Sequence, residues 1–381
     1  MTRQLPLGFY LHVPFCAHSC DFCAFYHEAP RKPDIELYFK GVEDDLKSYG
    51  TVFDCDTMFW GGGTPGVLKA ADLERLGTLC LQYVKTPPKE WTIELAPSTV
   101  KPDKAKVLKD LGVTRVSLGV QSFDGALLDA IGRRHKPSVA YRAIECLRAA
   151  GFDNMNLDMM FALPGQTFEM WEKDLREALA TQPQHVSTYC LTFEEDTALW
   201  TKLSEGEIHA KTEAEEADFY KKTWDVLAYH GFHQYEISNF ARDGFACQHN
   251  LNTWDMQQWI GIGPSASSQY QGRRYTNSYD LKAWAQGYES GNPVWEDEVI
   301  LSDSLLSSDS LIFGLRMNRG VNLKRLKDRF PKVDYSGVHA IVDRLVGDLL
   351  MNQKGDEVFL TNQGRLLTDR IAVEFLDAFE E

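Results

Sequence analysis

The chain has 381 residues, of which 44% are hydrophobic and 25% are charged, as is typical of a soluble globular protein with one large and one smaller domain. Its formal net charge of −15 disfavours nucleic acid as a partner, because proteins that bind phosphate backbones are usually basic. No segment is long and apolar enough to cross a membrane, and the N-terminal sequence lacks the apolar core of a signal peptide. We therefore expect a cytoplasmic protein that reaches a membrane, if at all, peripherally through a partner.

Short apolar segments alternate with amphipathic ones along the first two-thirds of the chain. The apolar segments have the length and residue types of strands, and the others have the period of helices. The predicted strands are Gly8–Val13, Thr57–Trp60, Thr92–Leu95, Arg115–Val120, Asn154–Phe161 and His185–Leu191. The predicted helices between them are Asp34–Tyr49, Ala71–Val84, Lys101–Leu111, Ser138–Ala150 and Phe168–Ala180. About six such repeats predict an α/β fold with a parallel sheet, either doubly wound or curled into a barrel.

The last third of the chain has a different character. A long helix is predicted at Glu213–Tyr229, and the following stretch, Tyr235 to Tyr279, is predicted to be irregular because it is rich in Gly, Ser and Asn. Beyond it the sequence predicts helices, a short strand at Glu357–Leu360 and a final helix, which together suggest a winged-helix-like unit.

A Gly-Asn-Pro sequence at 291–293 indicates a domain boundary. We therefore expect a large α/β domain over residues 1–290 and a small helical domain over residues 300–381.

Three of the eight cysteines, Cys16, Cys20 and Cys23, form a C-x3-C-x2-C motif in the predicted loop after the first strand. In a cytoplasmic protein, clustered cysteines are more often metal ligands or redox groups than disulfides. Three thiolates can hold three irons of a [4Fe–4S] cluster and leave the fourth iron open. Structural zinc is the alternative, since a histidine could complete four ligands. The histidines near the motif are His12, His18 and His27.

Polar residues lie at corresponding ends of several predicted strands. The second strand leads into Gly61-Gly62-Gly63-Thr64-Pro65, where glycines allow backbone to approach a ligand closely. The next three strands carry Glu94, Gln121 and Asp158, and Arg133 follows Gln121 by twelve residues. The presence of any one of these residues at a strand end is explained by hydrogen bonds from its side chain to backbone or solvent. Together with the cysteines, at one end of a parallel sheet, they favour a ligand site.

The cysteine motif and its position resemble the signature of the radical S-adenosylmethionine (SAM) superfamily. The resemblance implies a partial (β/α)6 barrel similar to a TIM barrel. It also implies a [4Fe–4S] cluster on the three cysteines and SAM on the open iron, where electron transfer yields a 5′-deoxyadenosyl radical. The glycine run resembles the GGGTP form that receives the amino group of SAM.

The order of motifs further resembles one branch of that superfamily, the anaerobic coproporphyrinogen III dehydrogenase family with its heme-chaperone type, HemW. The similarity extends through ALPGQT, QYEISNFAR, HNLNTW, GIGPSASS and FGLRMNRGVNL. Tyr10 matches a tyrosine six residues before the first cysteine, and Phe22 matches an aromatic residue before the third. The SAM-site residues that the resemblance implies are Tyr10, Phe22, Gly63, Thr64, Pro65, Glu94, Gln121, Arg133 and Asp158. Among them, Asp158 can accept hydrogen bonds from ribose hydroxyls and Arg133 can hold a carboxylate.

Two features separate the dehydrogenase type from the chaperone type. Phe25 stands where the dehydrogenase type has a fourth cysteine, and only fifteen residues precede Cys16, where that type has a long extension. Both features, and the total length, favour the chaperone type. Ser267 points the other way, because the chaperone type usually has histidine at this place in GIGPSASS.

A second motif resembles the His-Asn-x-x-Tyr-Trp sequence that the chaperone type links to heme. It runs from His249 to Trp254 in region 235–280 and has Thr253 in place of the tyrosine. The resemblance implies that His249 ligates or contacts heme iron and that Trp254 stacks on the macrocycle. The alternative is that His249 and Asn250 cap a turn and that Trp254 belongs to the core.

The function that these expectations favour is binding of heme and its delivery to heme-accepting proteins, with an electron donor as a further partner. The alternative is an enzyme that oxidatively decarboxylates coproporphyrinogen III or performs another SAM-radical reaction on a tetrapyrrole. A structural module that binds zinc is a third hypothesis. The sequence leaves open whether SAM is cleaved and whether the protein is a monomer or a dimer.

Overall fold

The computed structural model describes residues 6–379, which form a twelve-stranded sheet, a separate three-stranded sheet and surrounding helices. The strands are β1 (Leu7–Val13), β2 (Thr57–Gly62), β3 (Glu90–Leu95), β4 (Arg115–Gln121), β5 (Met155–Phe161), β6 (His185–Cys190), β7 (His233–Gln234), β8 (Asn239–Ala241), β9 (Gln258–Ile262), β10 (Ser267–Tyr270), β11 (Arg273–Asn277), β12 (Trp295–Ile300), β13 (Val321–Asn322), β14 (Met351–Lys354) and β15 (Glu357–Leu360). The helices are α1 (Lys32–Ser48), α2 (Ala70–Leu81), α3 (Pro102–Leu111), α4 (Gly125–Ala130), α5 (Pro137–Ala149), α6 (Phe168–Ala180), α7 (Ala198–Ser204), α8 (Glu213–Tyr229), α9 (Gln248–Trp254), α10 (Leu281–Glu289), α11 (Asp303–Leu315), α12 (Leu323–Arg329), α13 (Ser336–Gly347), α14 (Asn362–Arg365) and α15 (Thr368–Asp377).

Strands β1 to β6 are parallel neighbours in chain order, and helices connect them. This arrangement confirms the predicted partial (β/α)6 barrel. The sheet continues beyond it on both sides: β9 pairs parallel to β1 and leads to antiparallel β10, β11 and β12, while β8 and β7 pair antiparallel beyond β6. In the described chain β1 and β6 each pair with other strands and not with each other, so the six central strands do not close into a ring.

The central elements lie close to their predicted positions, and α6 and α8 have the predicted bounds. The prediction that the stretch from Tyr235 to Tyr279 is irregular was wrong, because it contains β8 to β11 and α9. Those strands have three to five residues and carry Ser, Gln, Asn and Arg side chains. They lack the continuous apolar runs of strands that are buried on both faces.

Local sequence signals explain where several helices begin and end. Thr212 and Glu215 form a capping box at the start of α8, in which the Thr212 hydroxyl accepts from the Glu215 N–H and the Glu215 carboxylate accepts from the Thr212 N–H. Helix α3 starts with Pro102 and ends at Leu111, and the next residue, Gly112, has a φ of 96° that only glycine readily adopts.

The apolar core has two main parts. The larger one lines the central strands, where six of the seven β1 residues are buried and the rings of Trp60 and Trp91 pack edge to face at 5.2 Å. The smaller one joins α11, α13, α15 and the three-stranded sheet, with Leu311, Val342 and Phe375 buried. Strand β12 spans the segment between the two predicted domains, ends at the first residue of the second, and pairs with β11. Among residues 6–379, no helix combines the length and apolar character needed to cross a membrane.

A buried carboxylate connects α1 to the β9–β11 side of the sheet. One oxygen of Asp45 accepts hydrogen bonds from the Gly263 N–H, the Asn277 side-chain amide and the Trp284 indole N–H, each at 3.1 Å. The other oxygen, Oδ1, is buried without a partner. Burial raises the pKa of Asp45 to about 7. The ionised form is therefore disfavoured in the folded protein.

Asp45→Asn is expected to change how stability depends on pH. The folded-state pKa of Asp45 is above its unfolded value of 3.8, so the folded protein holds this proton longer, and stability falls as pH rises from about 4 to about 7. The loss is on the order of 4 kcal/mol. The substituted asparagine amide keeps an acceptor oxygen and removes the ionisation. Urea unfolding at pH 5 and pH 8 will show a smaller difference in the variant than in the wild type.

The matched control is Asp153→Asn, since Asp153 is exposed. Its pH dependence should equal that of the wild type. Equal pH dependence in Asp45→Asn and the wild type would contradict the prediction.

Candidate functional site

The cysteine motif lies between β1 and α1, at the C-terminal ends of the parallel strands. Cys16, Cys20 and Cys23 are all free and half-buried. Cys16 Sγ is 3.5 Å from Thr64 Oγ1, and the Phe25 N–H donates to the Cys23 sulfur. Burial raises the pKa of the Cys16 and Cys23 thiols.

The arrangement of these thiols differs from that of a single-ion site. Within residues 6–379, no group of three or more His, Cys, Asp or Glu side chains is arranged to hold a metal ion. A [4Fe–4S] cluster has a different requirement, because each thiolate binds a separate iron.

Contacts with distant segments fix the loop that carries the cysteines. At its base, Phe15 and Glu28 form a β-bridge. In its middle, the Asp21 N–H donates to the Ile131 carbonyl at 3.2 Å, and the Asp21 carboxylate pairs with Lys202 at 2.6 Å. The loop is thus held at both points and not only at its ends.

The glycine run packs directly against the start of the cysteine loop. The Gly63 N–H donates to the Val13 carbonyl at 3.0 Å, and the Thr64 N–H donates to the Phe15 carbonyl at 2.8 Å. A Cβ on Gly63 would lie 2.8 Å from both carbonyl oxygens, so no side chain fits there. Pro65 then begins a single 3-10 turn.

Tyr10 lies on β1 beneath this run. Its hydroxyl is 3.2 Å from His12 Nδ1, and its ring centroid is 6.2 Å from that of Phe59. Burial and the Glu94 carboxylate raise the pKa of Tyr10, and burial lowers the pKa of His12 to about 4. Both side chains are therefore neutral near pH 7. Gly62 passes over the His12 ring with a φ of 94°, where a Cβ would lie 2.4 Å from ring atoms.

Two carboxylates, Glu94 and Asp158, lie inside the barrel, close enough for the charge of Asp158 to act on Glu94. Glu94 accepts a hydrogen bond from the Gly62 N–H, and burial together with the Asp158 charge raises its pKa to about 8. Asp158 accepts from Ser117 Oγ at 3.0 Å and from Asn156 Nδ2 at 2.7 Å, and burial raises its pKa as well. In the described chain, neither carboxylate has a basic side chain within ion-pair distance. A cationic ligand would stabilise the negative charge of the two carboxylates.

Arg133 supplies the opposite charge nearby. A Cβ on Gly119 would lie 3.0 Å from Arg133 Nη2 and 3.2 Å from Gln121 Nε2, so both side chains pack against this glycine. The Arg133 Nε is buried without a partner, and among residues 6–379 no carboxylate is within ion-pair distance. Its guanidinium carbon is 5.9 Å from the Phe22 ring centroid. Gln121 ends β4 with a φ of 68°, where the pairing with β5 shifts register.

This set of groups fits SAM by its chemistry. SAM carries an ammonium, which suits Glu94, ribose hydroxyls, which suit Asp158, and a carboxylate, which suits Arg133. The glycine run adds backbone groups that no side chain obscures. In the structure, Phe22, Gly63, Thr64, Pro65, Gln121 and Arg133 lie in the cysteine loop or at or after the strand ends, whereas Tyr10, Glu94 and Asp158 lie within β1, β3 and β5.

The heme-linked motif lies elsewhere. It forms α9, and His249 is buried beside Gly8 and Thr57, at the N-terminal ends of β1 and β2. His249 Nδ1 is 3.0 Å from Thr57 Oγ1, its ring lies 5.1 Å from that of Phe59, and burial lowers its pKa to about 4. The structure therefore separates the motif from the cysteines by the length of the strands.

The last residue of the motif faces the C-terminal part of the chain. The Trp254 ring is half-buried, 5.9 Å from the Phe313 ring and 5.4 Å from the Arg316 guanidinium carbon. The roles predicted for His249 and Trp254 toward heme stay predictions.

A chain of buried hydrogen bonds links the two ends of the barrel. Asn156 donates to Asp158 and contacts His185 Nδ1 at 2.6 Å, and His185 Nε2 is 2.8 Å from the Tyr235 hydroxyl. That hydroxyl accepts from the N–H of Cys247, which caps α9, at 3.3 Å. Burial lowers the pKa of His185 well below its usual value, so the ring is neutral and bonds through both nitrogens.

Comparison with known proteins identifies the family. Residues 10–178 match the model of the radical SAM superfamily. The heme chaperone HemW of Lactococcus lactis subsp. lactis (strain IL1403) is 32% identical over 375 residues, which cover 98% of each chain. The heme chaperone HemW of Bacillus subtilis (strain 168) is also 32% identical over 375 residues, covering 96% of this chain and 98% of that relative.

This chain belongs to the HemW family. Its fold also matches a solved structure, that of coproporphyrinogen III oxidase (HemN) from Escherichia coli, a radical SAM enzyme. The match has a TM-score of 0.85 and 21% sequence identity, and it covers 98% of this chain and 90% of the other. At this identity the match shows that the HemW-family chain and HemN share a fold over nearly their whole lengths.

Several residues that support the site of this HemW-family chain were missed in the sequence. Asp21 and Lys202 are 181 positions apart, and no pattern connects them. Asn156 could have been predicted from the sequence, because it stands two residues before Asp158 on the same strand and therefore lies on the same face of the sheet. Ser117 and His185 are brought to the same face by the pairing of β4, β5 and β6.

Proposed function

We propose that this protein binds heme and delivers it to heme-accepting proteins. The observation that carries the proposal is the 32% identity, over 98% of each chain, to a protein named as a heme chaperone. Phe25 supports it, because this residue occupies the place of the dehydrogenase type's fourth cysteine.

The proposed cofactors are a [4Fe–4S] cluster on Cys16, Cys20 and Cys23, and SAM beside it. When bound, the cluster supplies a site for one-electron transfer to SAM. In this proposal Glu94 receives the SAM ammonium and Arg133 its carboxylate. Asp158, held by Ser117 and Asn156, accepts from the ribose hydroxyls.

The residues around Cys23 offer a contact for the proposed electron donor. The Phe25 side chain is 70% exposed although it is large and apolar. Phe25 follows Cys23 by two residues and its backbone N–H donates to that cysteine, so it belongs to the loop that carries the proposed cluster ligands. An exposed aromatic ring at such a position suits transient docking of a partner protein.

The second candidate function is oxidative decarboxylation of coproporphyrinogen III. Its support is the HemN-like fold over 98% of the chain. Fold alone does not determine chemistry, because one fold hosts many functions.

One experiment separates the two candidates. The protein is reconstituted anaerobically with iron and sulfide, then given SAM, a reductant and coproporphyrinogen III, while heme is titrated into a parallel sample. We expect a saturable heme spectrum with about one heme per chain and no loss of the porphyrinogen. The control is the Cys16→Ser, Cys20→Ser, Cys23→Ser triple variant, which lacks the proposed cluster ligands.

Loss of the porphyrinogen in step with formation of 5′-deoxyadenosine, absent in the triple variant, would overturn the chaperone proposal. Failure of the wild type to bind heme would also overturn it.

A further inference from the structure

A cavity of about 650 Å³ lies between α8, the loop after β6 and the C-terminal residues 365–370. Aromatic side chains from Tyr220 and Trp224 form one part of its wall, with ring centroids 6.2 Å apart. Three arginines from the C-terminal part of the chain, Arg316, Arg365 and Arg370, form another. A volume of several hundred Å³ is typical of a small-molecule site, and the charged lining of this one, which includes Glu213, Glu216 and Asp369 besides the arginines, suits a ligand that carries charged groups.

Arg365 is held in place and lacks a counterion. Its guanidinium carbon lies 4.7 Å from the Trp224 ring centroid, and its terminal nitrogens donate to the side-chain oxygens of Gln234 and Asn362. Its Nε is buried without a partner. Within the described chain, no carboxylate lies within ion-pair distance of it. A half-buried guanidinium with neutral partners is a ready binding group for a ligand carboxylate.

Arg316 is positioned by the heme-linked motif. Its guanidinium carbon stacks over Trp254 at 5.4 Å, its Nε is buried without a partner, and its Nη1 pairs with Asp369 at 2.7 Å. The Asp369 side chain is 89% exposed, so this pair is open to exchange with a ligand carboxylate. The motif thus reaches the cavity through Trp254 and Arg316.

We infer that this cavity binds heme, with Arg316 and Arg365 holding the two propionates and the Tyr220 and Trp224 rings lying against the macrocycle. This inference rests on the proposed function. Glu213 and Glu216 line the α8 side of the cavity. Because they repel carboxylates, the edge of heme that carries the propionates would face the arginines.

The second cavity suits heme less well. It measures about 1230 Å³ and lies by Thr57 and Glu90 at the N-terminal ends of the strands. Its lining includes Asp54, Asp56 and Asp255 besides Glu90, and among residues 6–379 no aromatic side chain lines it. Two of its basic side chains, Lys89 and Arg319, are already paired with Asp56 and Asp255.

The test measures heme affinity of the full chain by absorbance titration. Arg316→Gln and Arg365→Gln should each weaken heme binding about tenfold to a hundredfold, since each loses one charge-assisted contact. Arg365→Lys, which keeps the charge, should lose less. Arg344→Gln is the control, because Arg344 pairs with Asp348 and Glu374 and does not line the cavity.

Two further arms do not depend on removing an arginine. Heme dimethyl ester, whose propionates are uncharged, should bind the wild type weakly, and Arg365→Gln should weaken its binding no further. Thr192→Trp adds bulk at an exposed position of the lining and should also weaken heme binding. Thermal unfolding confirms that each variant is folded.

The outcomes separate this inference from the proposed function. Unchanged heme binding in Arg316→Gln, Arg365→Gln and Thr192→Trp, with loss in His249→Ala, would refute the cavity and leave the chaperone proposal standing. Absence of heme binding by the wild type would refute both.

Discussion

Cys20→Ser will reduce the iron content of the anaerobically reconstituted protein from about four atoms per chain to less than about one. A serine hydroxyl stays protonated near neutral pH and is a hard ligand, whereas iron–sulfur clusters require soft thiolates. The substitution is small, and the backbone contact of Cys20, whose carbonyl accepts from the Cys23 N–H at 3.1 Å, is kept. The loss should therefore be specific to the cluster.

Iron and sulfide analysis and the visible absorption of the cluster measure this effect. The matched control is Cys146→Ser, since Cys146 is also half-buried but lies on α5, away from the motif. The control should keep about four irons. If Cys20→Ser keeps its iron, the ligand assignment is wrong. If the wild type takes up zinc and no iron, the cluster itself is ruled out.

Gly63→Ala should both destabilise the protein and release the cluster and SAM. The new Cβ would lie 2.8 Å from the backbone oxygens of Val13 and Phe15, and backbone cannot move aside as a flexible side chain can. Overpacking of this kind costs about 1–3 kcal/mol. The displaced segment begins the cysteine loop, so we expect lower iron retention and weaker SAM binding as well.

Urea unfolding and equilibrium dialysis with labelled SAM measure the two effects. Gly125→Ala is the control, because a Cβ on Gly125 at the start of α4 meets no atom within 4 Å. It should be neutral or stabilise the protein by up to about 1 kcal/mol. Equal behaviour of the two variants would show that the glycine run tolerates a side chain.

The parallel part of the fold was predictable because its strands carry an unambiguous pattern. Strands β1 to β6 are largely buried, and each is a short segment rich in apolar residues that stands between amphipathic helices. The added strands gave no such signal. Strand β12 is largely exposed, and β8 has only three residues, so their pairing follows from partners that are distant in the chain.

The sequence singled out the candidate residues by type and position, and it indicated their surroundings only in part. Spacing and strand ends singled out Glu94, Arg133 and Asp158, because chemistry-bearing residues at strand ends stand out from apolar neighbours. The partners that hold the site, such as Asp21 with Lys202, depend on contacts across the fold that no local pattern encodes. The burial of His249 at the opposite end of the strands could likewise not be predicted, because nothing in the sequence around a single histidine indicates at which end of the sheet it lies.

The missing pairing between β1 and β6 has a mechanical consequence. A closed barrel has a fixed bore, because each strand is hydrogen-bonded on both sides and widening it would break a full ladder. Here the strands on either side of the gap are bonded to β9 and β8, so the two flanks can move apart without losing a backbone hydrogen bond between them. The width of the interior is thus not fixed by a continuous backbone ladder between β1 and β6.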